Sequence, residues 1–194
     1  MSTYLTTGFV LRVQPWREND RLYTLLTHMH GKVDVIAAGT KKGNSKLSPH
    51  LQPFAEVELM VARGKRIDRL AAARLVQSYL KPPYALHTLM VGAALLEIAR
   101  MFASEGAHEP LLSDLLKSYL AKLPELTAQV EWKPGARSLV AGYLAEVFRV
   151  SGLAVPLTTC DVCHGQLTQP FAFSWQRHGF LHANHAELCE VTVS

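Results

Sequence analysis

Apolar and polar residues alternate with a period of two from residue 7 to about residue 80, and a period of 3.6 replaces it beyond that point. In the first part, Phe9, Leu11 and Val13 alternate with Val10, Arg12 and Gln14, and residues 15–20 read as a turn. Residues 21–29 predict a second strand, His30 and Gly31 turn the chain, and residues 32–39 predict a third, with Val33 and Val35 on one face and Asp34 and Ile36 on the other. Residues 54–62 alternate again, with Val57, Leu59 and Val61 inward and Glu56 and Glu58 outward. Arg63-Gly64-Lys65 reads as a hairpin turn, and residues 67–78 supply a fifth strand, although LAAARLVQSYL also has a helical reading. Five short strands with glycine-bearing turns predict a small closed barrel of the OB type.

The change of period falls at Lys81-Pro82-Pro83, where the domain boundary is placed. Val91, Leu95, Ile98 and Phe102 make one helical stripe. Leu112, Leu115, Leu116, Tyr119, Leu120 and Leu123 make a second, with Pro124 expected to end it. Leu139, Val140, Tyr143, Leu144 and Val147 make a third, with Gly152 as its C-terminal cap. Such stripes are core-facing surfaces, and antiparallel helices packed on the barrel follow from them. The expected organisation is thus α+β: an OB-type barrel over 1–80, a helical domain over 81–155 and a small cysteine- and histidine-bearing module over 156–194.

Composition sharpens this picture through charge. The net charge of +4 conceals an asymmetry: the chain through Lys81 carries 13 Lys and Arg against 6 Asp and Glu, the remainder 7 against 10. The positive field belongs to the barrel and points to a polyanionic partner there. The N-terminus lacks the charged and apolar regions of a signal peptide, and the longest apolar run, residues 89–96, is far too short for a membrane span. Three cysteines confined to the last 35 residues make no closed disulfide framework, so a reducing compartment is expected.

Those cysteines carry the clearest chemistry. Cys160 and Cys163 form a CxxC pair, and after 18 intervening residues His182 and His185 repeat the two-residue spacing. Two such pairs flanking a short aromatic hairpin (Phe171, Phe173, Trp175, Phe180) are how a small module holds tetrahedral Zn²⁺, with Cys189 as a substitute ligand. Four protein ligands leave no open position, and Glu187 is the only nearby general base, so the zinc is structural rather than catalytic. The sequence holds no GxSxG, no GxxxxGK[ST] and no dinucleotide glycine fingerprint, and Ser48 and His50 share one loop, so the reading is a non-enzyme. A small zinc hydrolase acting on nucleic acid is the enzymatic alternative.

The candidate nucleic-acid contacts cluster along the barrel. Arg12 and Arg21 lie on the first strands with Arg17 in the turn between them. Lys32 opens the third strand, and Lys41, Lys42 and Lys46 follow it in a Gly-, Ser-, Asn- and Pro-rich loop that contains no acid. Arg63, Lys65 and Arg66 border the last hairpin, with Arg69 and Arg74 beyond. In an OB barrel these loops line one groove that tracks a backbone. Tyr4, Trp16 and Tyr23 are the aromatics available for base stacking, each also suited to packing.

Nearly the whole chain resembles the bacterial RecO family of recombination mediators. TGFVLRVQPWRENDRLYTLLT looks like the family's opening strands, and GKVDVIAAGTKKGNSKLSPHLQPF is close to its most distinctive signature, a hydrophobic strand ending in A-x-G, two basic residues, then Ser before LQPF. VFRVSGLAVPLTTCDVC is similar to its helix end, Gly-x-x-Pro and first zinc half-site. The second half-site, usually GGxxCxxC, reads HGFLHANH here, which sets His182 and His185 where cysteines would stand. Members continue with further helix beyond the zinc site, whereas this sequence stops at Ser194. The resemblance implies an OB-fold domain, a helical body and a zinc-knuckle module. It also implies binding of single- and double-stranded DNA, strand annealing, and partnership with RecR and single-stranded-DNA-binding protein in loading RecA, in the cytoplasm at the nucleoid. An adaptor whose basic face meets acidic protein tails is the reading from a different class.

Overall fold

The computed structural model describes residues 2–80, 83–127, 132–186 and 191–193, and the chain divides into two compact units, Met1–Val147 and Phe148–Ser194. In the first, β1 (Thr3–Trp16), β2 (Asp20–Thr27), β3 (Gly31–Ala37), β4 (Ala55–Ala62) and β5 (Asp68–Ser78) close a barrel in the order β1-β2-β3-β5-β4. Every pairing is antiparallel except β3 with β5, which are parallel through Val35↔Asp68 and Ile36↔Arg69. This is the expected OB-type barrel. The ambiguous LAAARLVQSYL is strand because its backbone completes a ladder with β4 from Ala55↔Ser78 to Ala62↔Arg69, a tertiary pairing that overrides local helix preference.

The long first strand departs from simple alternation. Its register against β2 shifts between Val10 and Arg12, so Leu11 is inserted without an opposite residue. Ahead of this bulge, Phe9 faces the helices while Val10 faces the barrel interior; beyond it, Val13 packs against the interior. Val13 therefore does not share a face with Phe9 and Leu11 as the sequence pattern predicts, because one extra residue exchanges the two faces. The result is two cores. Val10, Tyr23, Leu25, Val35, Val57 and Leu59 fill the barrel, with Glu56 and Glu58 outward as expected. Phe9, Leu11, Leu26 and Tyr79 on its outer wall pack with the helices.

Those helices are α1 (Leu86–Phe102), α2 (Pro110–Leu120), α3 (Leu123–Thr127) and α4 (Trp132–Val150). Their predicted stripes form the second core, with Val91, Leu95, Leu112, Leu116, Leu120 and Tyr143 all buried. Pro124 does not end the second helix. The chain leaves it after Leu120, and Pro124 sits in the first turn of α3, where a missing N–H costs nothing. The boundary expected at residues 81–83 falls partly on Lys81 and Pro82, outside the described residues, and the barrel and helices flanking it belong to one compact unit.

In the second unit, α4 closes as predicted. Leu153 N–H donates to Phe148 O at 2.8 Å and Gly152 N–H to Arg149 O at 3.2 Å, the two bonds of a Schellman motif. β6 (Phe171–Ser174) pairs with both β7 (Gly179–His182) and β8 (Val191–Val193) in a three-stranded sheet. Among the described residues its fully buried side chains are few (Ala172, Ser174, Leu181 and Cys160), while Trp175 is 67% exposed. Among the described residues no helix is long and apolar enough to cross a membrane.

Candidate functional site

Two rims built by local hydrogen bonding frame a cleft at one end of the barrel. The first rim is the β1–β2 turn tied to the loop after β3. Gly39 N–H donates to Asp20 Oδ1 at 2.9 Å, Lys41 N–H to Asn19 O at 3.0 Å, and the Lys41 ammonium to the carbonyls of Arg17 at 2.6 Å and Trp16 at 3.4 Å. The second rim is the β4–β5 hairpin. Asp68 fastens it, accepting from Gly64 N–H at 2.9 Å and from Tyr4 OH at 3.2 Å. A Cβ on Gly64 would lie 1.9 Å from Ile67 O, so the hairpin closes this tightly only with glycine there.

Between the rims lies a cleft of about 880 Å³ lined by Trp16, Arg17, Lys65, Arg66 and Arg69. Its one acid, Asp20, is engaged by the Gly39 amide, so four cations face outward against a single occupied carboxylate. A second cleft of about 560 Å³ shares Arg66 and adds Lys32 and Arg63, but Asp34, Asp68 and Glu105 line it too. Its charge is balanced. Arg63 also lies over the Tyr4 ring, 5.4 Å from the centroid. Burial, with the Asp68 carboxylate next, pushes the Tyr4 phenol up to about 12, which keeps it a neutral donor to Asp68.

The nine basic residues singled out in the sequence therefore divide. Lys65 and Arg66 line the cationic cleft and Lys41 braces its wall; Lys32 and Arg63 line the balanced one. Arg21 donates to Ser48 Oγ at 3.3 Å, exposed Arg12 lies where its charge acts on Glu97 of α1, and Lys42 and Lys46 are exposed on the loop. Arg17 and Arg69, secondary in the sequence reading, complete the cationic cleft. The signal for them is topological: in an OB barrel the first and last hairpins meet. Of the three aromatics, Tyr23 is fully buried, Tyr4 belongs to the balanced cleft, and partly buried Trp16 lines the cationic one. His50, grouped with Ser48 in the sequence, accepts the Leu75 amide at 3.4 Å through Nδ1.

In the second unit Cys160, Cys163, His182 and His185 converge, with all four ligand atoms within 4.8 Å of one another. The turn that presents the thiols is held by Cys160 N–H donating to Gly165 O at 2.8 Å and His164 N–H to Cys160 O at 2.9 Å. Asp161 N–H donates to Phe180 O at 2.9 Å and docks the turn on β7. Cys160 Sγ lies 3.5 Å from His185 Nδ1, and Cys163 Sγ 3.4 Å from His182 Nδ1. A sulfur and a nitrogen bound to tetrahedral zinc stand about 3.5 Å apart, so the donor set and its spacing fit that ion. His182 Nε2 lies 3.0 Å from the Gln166 carbonyl; donating there, it leaves Nδ1 free to ligate. Burial raises the Cys160 thiol, but the Cys163 amide and the His185 ring, with the amides of His182 and Val162, outweigh it and bring the thiol down to about 5. A thiolate at neutral pH is the form a soft cation takes. Glu187 and Cys189 lie outside the described residues.

An OB-type barrel carrying a basic cleft, a helical layer on its outer wall and a Cys₂His₂ cluster define an α+β protein with a cluster able to bind a metal. Residues 1–79 match the family model described as "Recombination protein O N terminal". The chain is 31% identical over 189 residues to DNA repair protein RecO of Exiguobacterium sibiricum, covering 96% of this chain and 72% of that one. It is 29% identical to its counterparts in Desulforamulus reducens, with 93% and 68% covered, and in Nostoc sp., with 96% and 62% covered. The chain belongs to the RecO family of DNA repair proteins. It spans roughly two thirds of the length of these relatives.

Proposed function

We propose that this chain is a non-enzymatic mediator of recombinational repair that binds single- and double-stranded DNA and anneals complementary strands. With RecR and single-stranded-DNA-binding protein as partners, it helps to load RecA. The observation that carries the DNA-binding part is the cleft between the first and last hairpins, where Arg17, Lys65, Arg66 and Arg69 stand against one occupied carboxylate. Cations on two braced rims neutralise phosphates and so lower the repulsion that slows two strands from pairing. Lys41, Lys42 and Lys46 extend the same positive field along the neighbouring loop. Family membership supports the repair role and the named partners. Cys160, Cys163, His182 and His185 hold a structural Zn²⁺, which orders a module whose own buried side chains are few.

Salt titration of single-strand binding tests the reading. Neutralising about six phosphates gives a slope of log K against log salt near −4. A slope flatter than about −1, or complete displacement by an acidic peptide with no strand annealing, would instead favour an adaptor for acidic protein tails.

A further inference from the structure

We infer that the Trp16 cleft receives an unpaired nucleobase, so that the protein holds a single strand by a base as well as by its phosphates. The inference rests on the DNA-binding reading above and specifies which part of the strand the cleft takes. A surface that meets phosphates alone needs cations and no particular floor. Here the cleft is also lined by the apolar residues Ile36, Ala38, Ile67 and Leu70. Apolar lining together with charged rims suits a ligand with a flat, weakly polar body and anionic ends, and a nucleotide within a strand is that ligand. The volume, about 880 Å³, lies in the range of pockets that enclose small molecules.

Trp16 lines the cleft, and its backbone is braced. It pairs with Asp20 across the turn, and its carbonyl and that of Arg17 accept from the Lys41 ammonium. An aromatic side chain stacks on any base, because every base has a π-face, so the contact is blind to sequence. Arg17 on one rim and Lys65, Arg66 and Arg69 on the other then stand where the flanking phosphates leave the cleft. The neighbouring cleft does not fit the same ligand, since Asp34, Asp68 and Glu105 would oppose the phosphates. Bases within a duplex are covered on both faces and would have to unstack to enter, so the cleft selects unpaired residues.

The test compares a single strand of roughly 15 nucleotides with a base-free deoxyribose-phosphate strand of equal length and charge. It uses a Trp132→Phe/Trp175→Phe variant of the full chain, in which Trp16 is the one remaining tryptophan. The intact strand should quench Trp16 emission and bind at least about tenfold more tightly than the base-free strand. Trp16→Ala should abolish that preference and leave the salt slope unchanged, and Trp16→Phe should keep it. Equal affinity of the two strands, each with a steep salt slope and no quenching, overturns the base pocket and leaves the phosphate reading intact. Absence of salt-dependent binding to either strand overturns both. Should Trp16→Ala fail to fold, the quenching and base-free comparisons decide alone.

Discussion

The backbone amide of Lys32 donates to the carbonyl of Ser104 over 2.9 Å, fastening the start of β3 to the loop that leaves α1. Gly31, one residue earlier, makes the approach possible. It sits at φ +59, and a Cβ there would lie 2.5 Å from both Ser104 O and Ala107 O. Both are backbone oxygens of the loop between α1 and α2, that of Ser104 held by the Lys32 amide, and they cannot retreat as a flexible side chain can. Gly31→Ala should therefore destabilise the first unit by about 3 kcal/mol, strain and overpacking together, as read by chemical denaturation.

Two buried tyrosines should respond oppositely to loss of their hydroxyls. Tyr79 OH donates to Glu56 at 3.0 Å, and Glu56 also accepts from Lys117 of α2 at 3.1 Å, so this carboxylate ties the barrel to the helices. Tyr79→Phe should cost about 1–2 kcal/mol. Tyr143 OH is buried with no hydrogen-bond partner among the described residues. Tyr143→Phe removes a desolvated hydroxyl without breaking a bond, and should be neutral or stabilising by up to about 1 kcal/mol in the same denaturation experiment.

Tyr4 gives a pH dependence with a defined sign. Its phenol is raised to about 12 by burial and by Asp68, so the folded chain holds this proton more tightly than the unfolded chain, where tyrosine ionises near 10. The stability it contributes is complete below about pH 10 and is lost as pH climbs towards 12. In alkaline denaturation Tyr4→Phe should be less sensitive than the parent over that window. An unchanged pH profile would mean that the Tyr4–Asp68 bond does not form in solution.

Charge reversal should separate the two clefts. Lys65→Glu/Arg69→Glu removes two cations that line only the site with a single opposing acid and should flatten the single-strand salt slope by about 2. Lys32→Glu, placed among Asp34 and Glu105, should change it by less than about 1. Fluorescence anisotropy across a salt series reads both. Changing Lys41, Lys42 and Lys46 together to Glu should abolish strand annealing, with Lys41 acting partly through the turn it braces.

If the second unit holds the proposed zinc, its removal should loosen that unit alone. Cys160→Ala and His182→Ala each delete one of four converging donors and should lower bound zinc in elemental analysis. Hydrogen exchange should then show lost protection over residues 156–186, with barrel amides unchanged. Full protection in a zinc-free chain would show that the small hairpin core suffices by itself.

Much of this architecture was legible in the chain because its signals are local. Alternation at Val57, Leu59 and Val61 marks a strand, the Val91–Leu95 spacing a helix, and the CxxC and HxxH pairs a donor set, each within a few residues. What escaped was set at a distance. Nothing near Val13 announces the extra residue at Leu11, because the bulge is defined against β2. Pro124 reads as a helix end and serves as a helix start because the turn after Leu120 intervenes. The run of lysines after β3 draws attention to itself, yet the cationic cleft takes Arg17 from one hairpin and Arg69 from another, partners brought together only when the barrel closes.

The inserted Leu11 gives β1 two allegiances, and that limits how the molecule can be taken apart. A polypeptide cut after Leu80 would keep all five barrel strands but leave Phe9, Leu11, Leu26 and Tyr79 bare on the outer wall. Such a piece would be sticky in water and prone to self-association. The compact unit in which that greasy flank is covered runs on to Val147, so barrel and helices stand or fall as one piece.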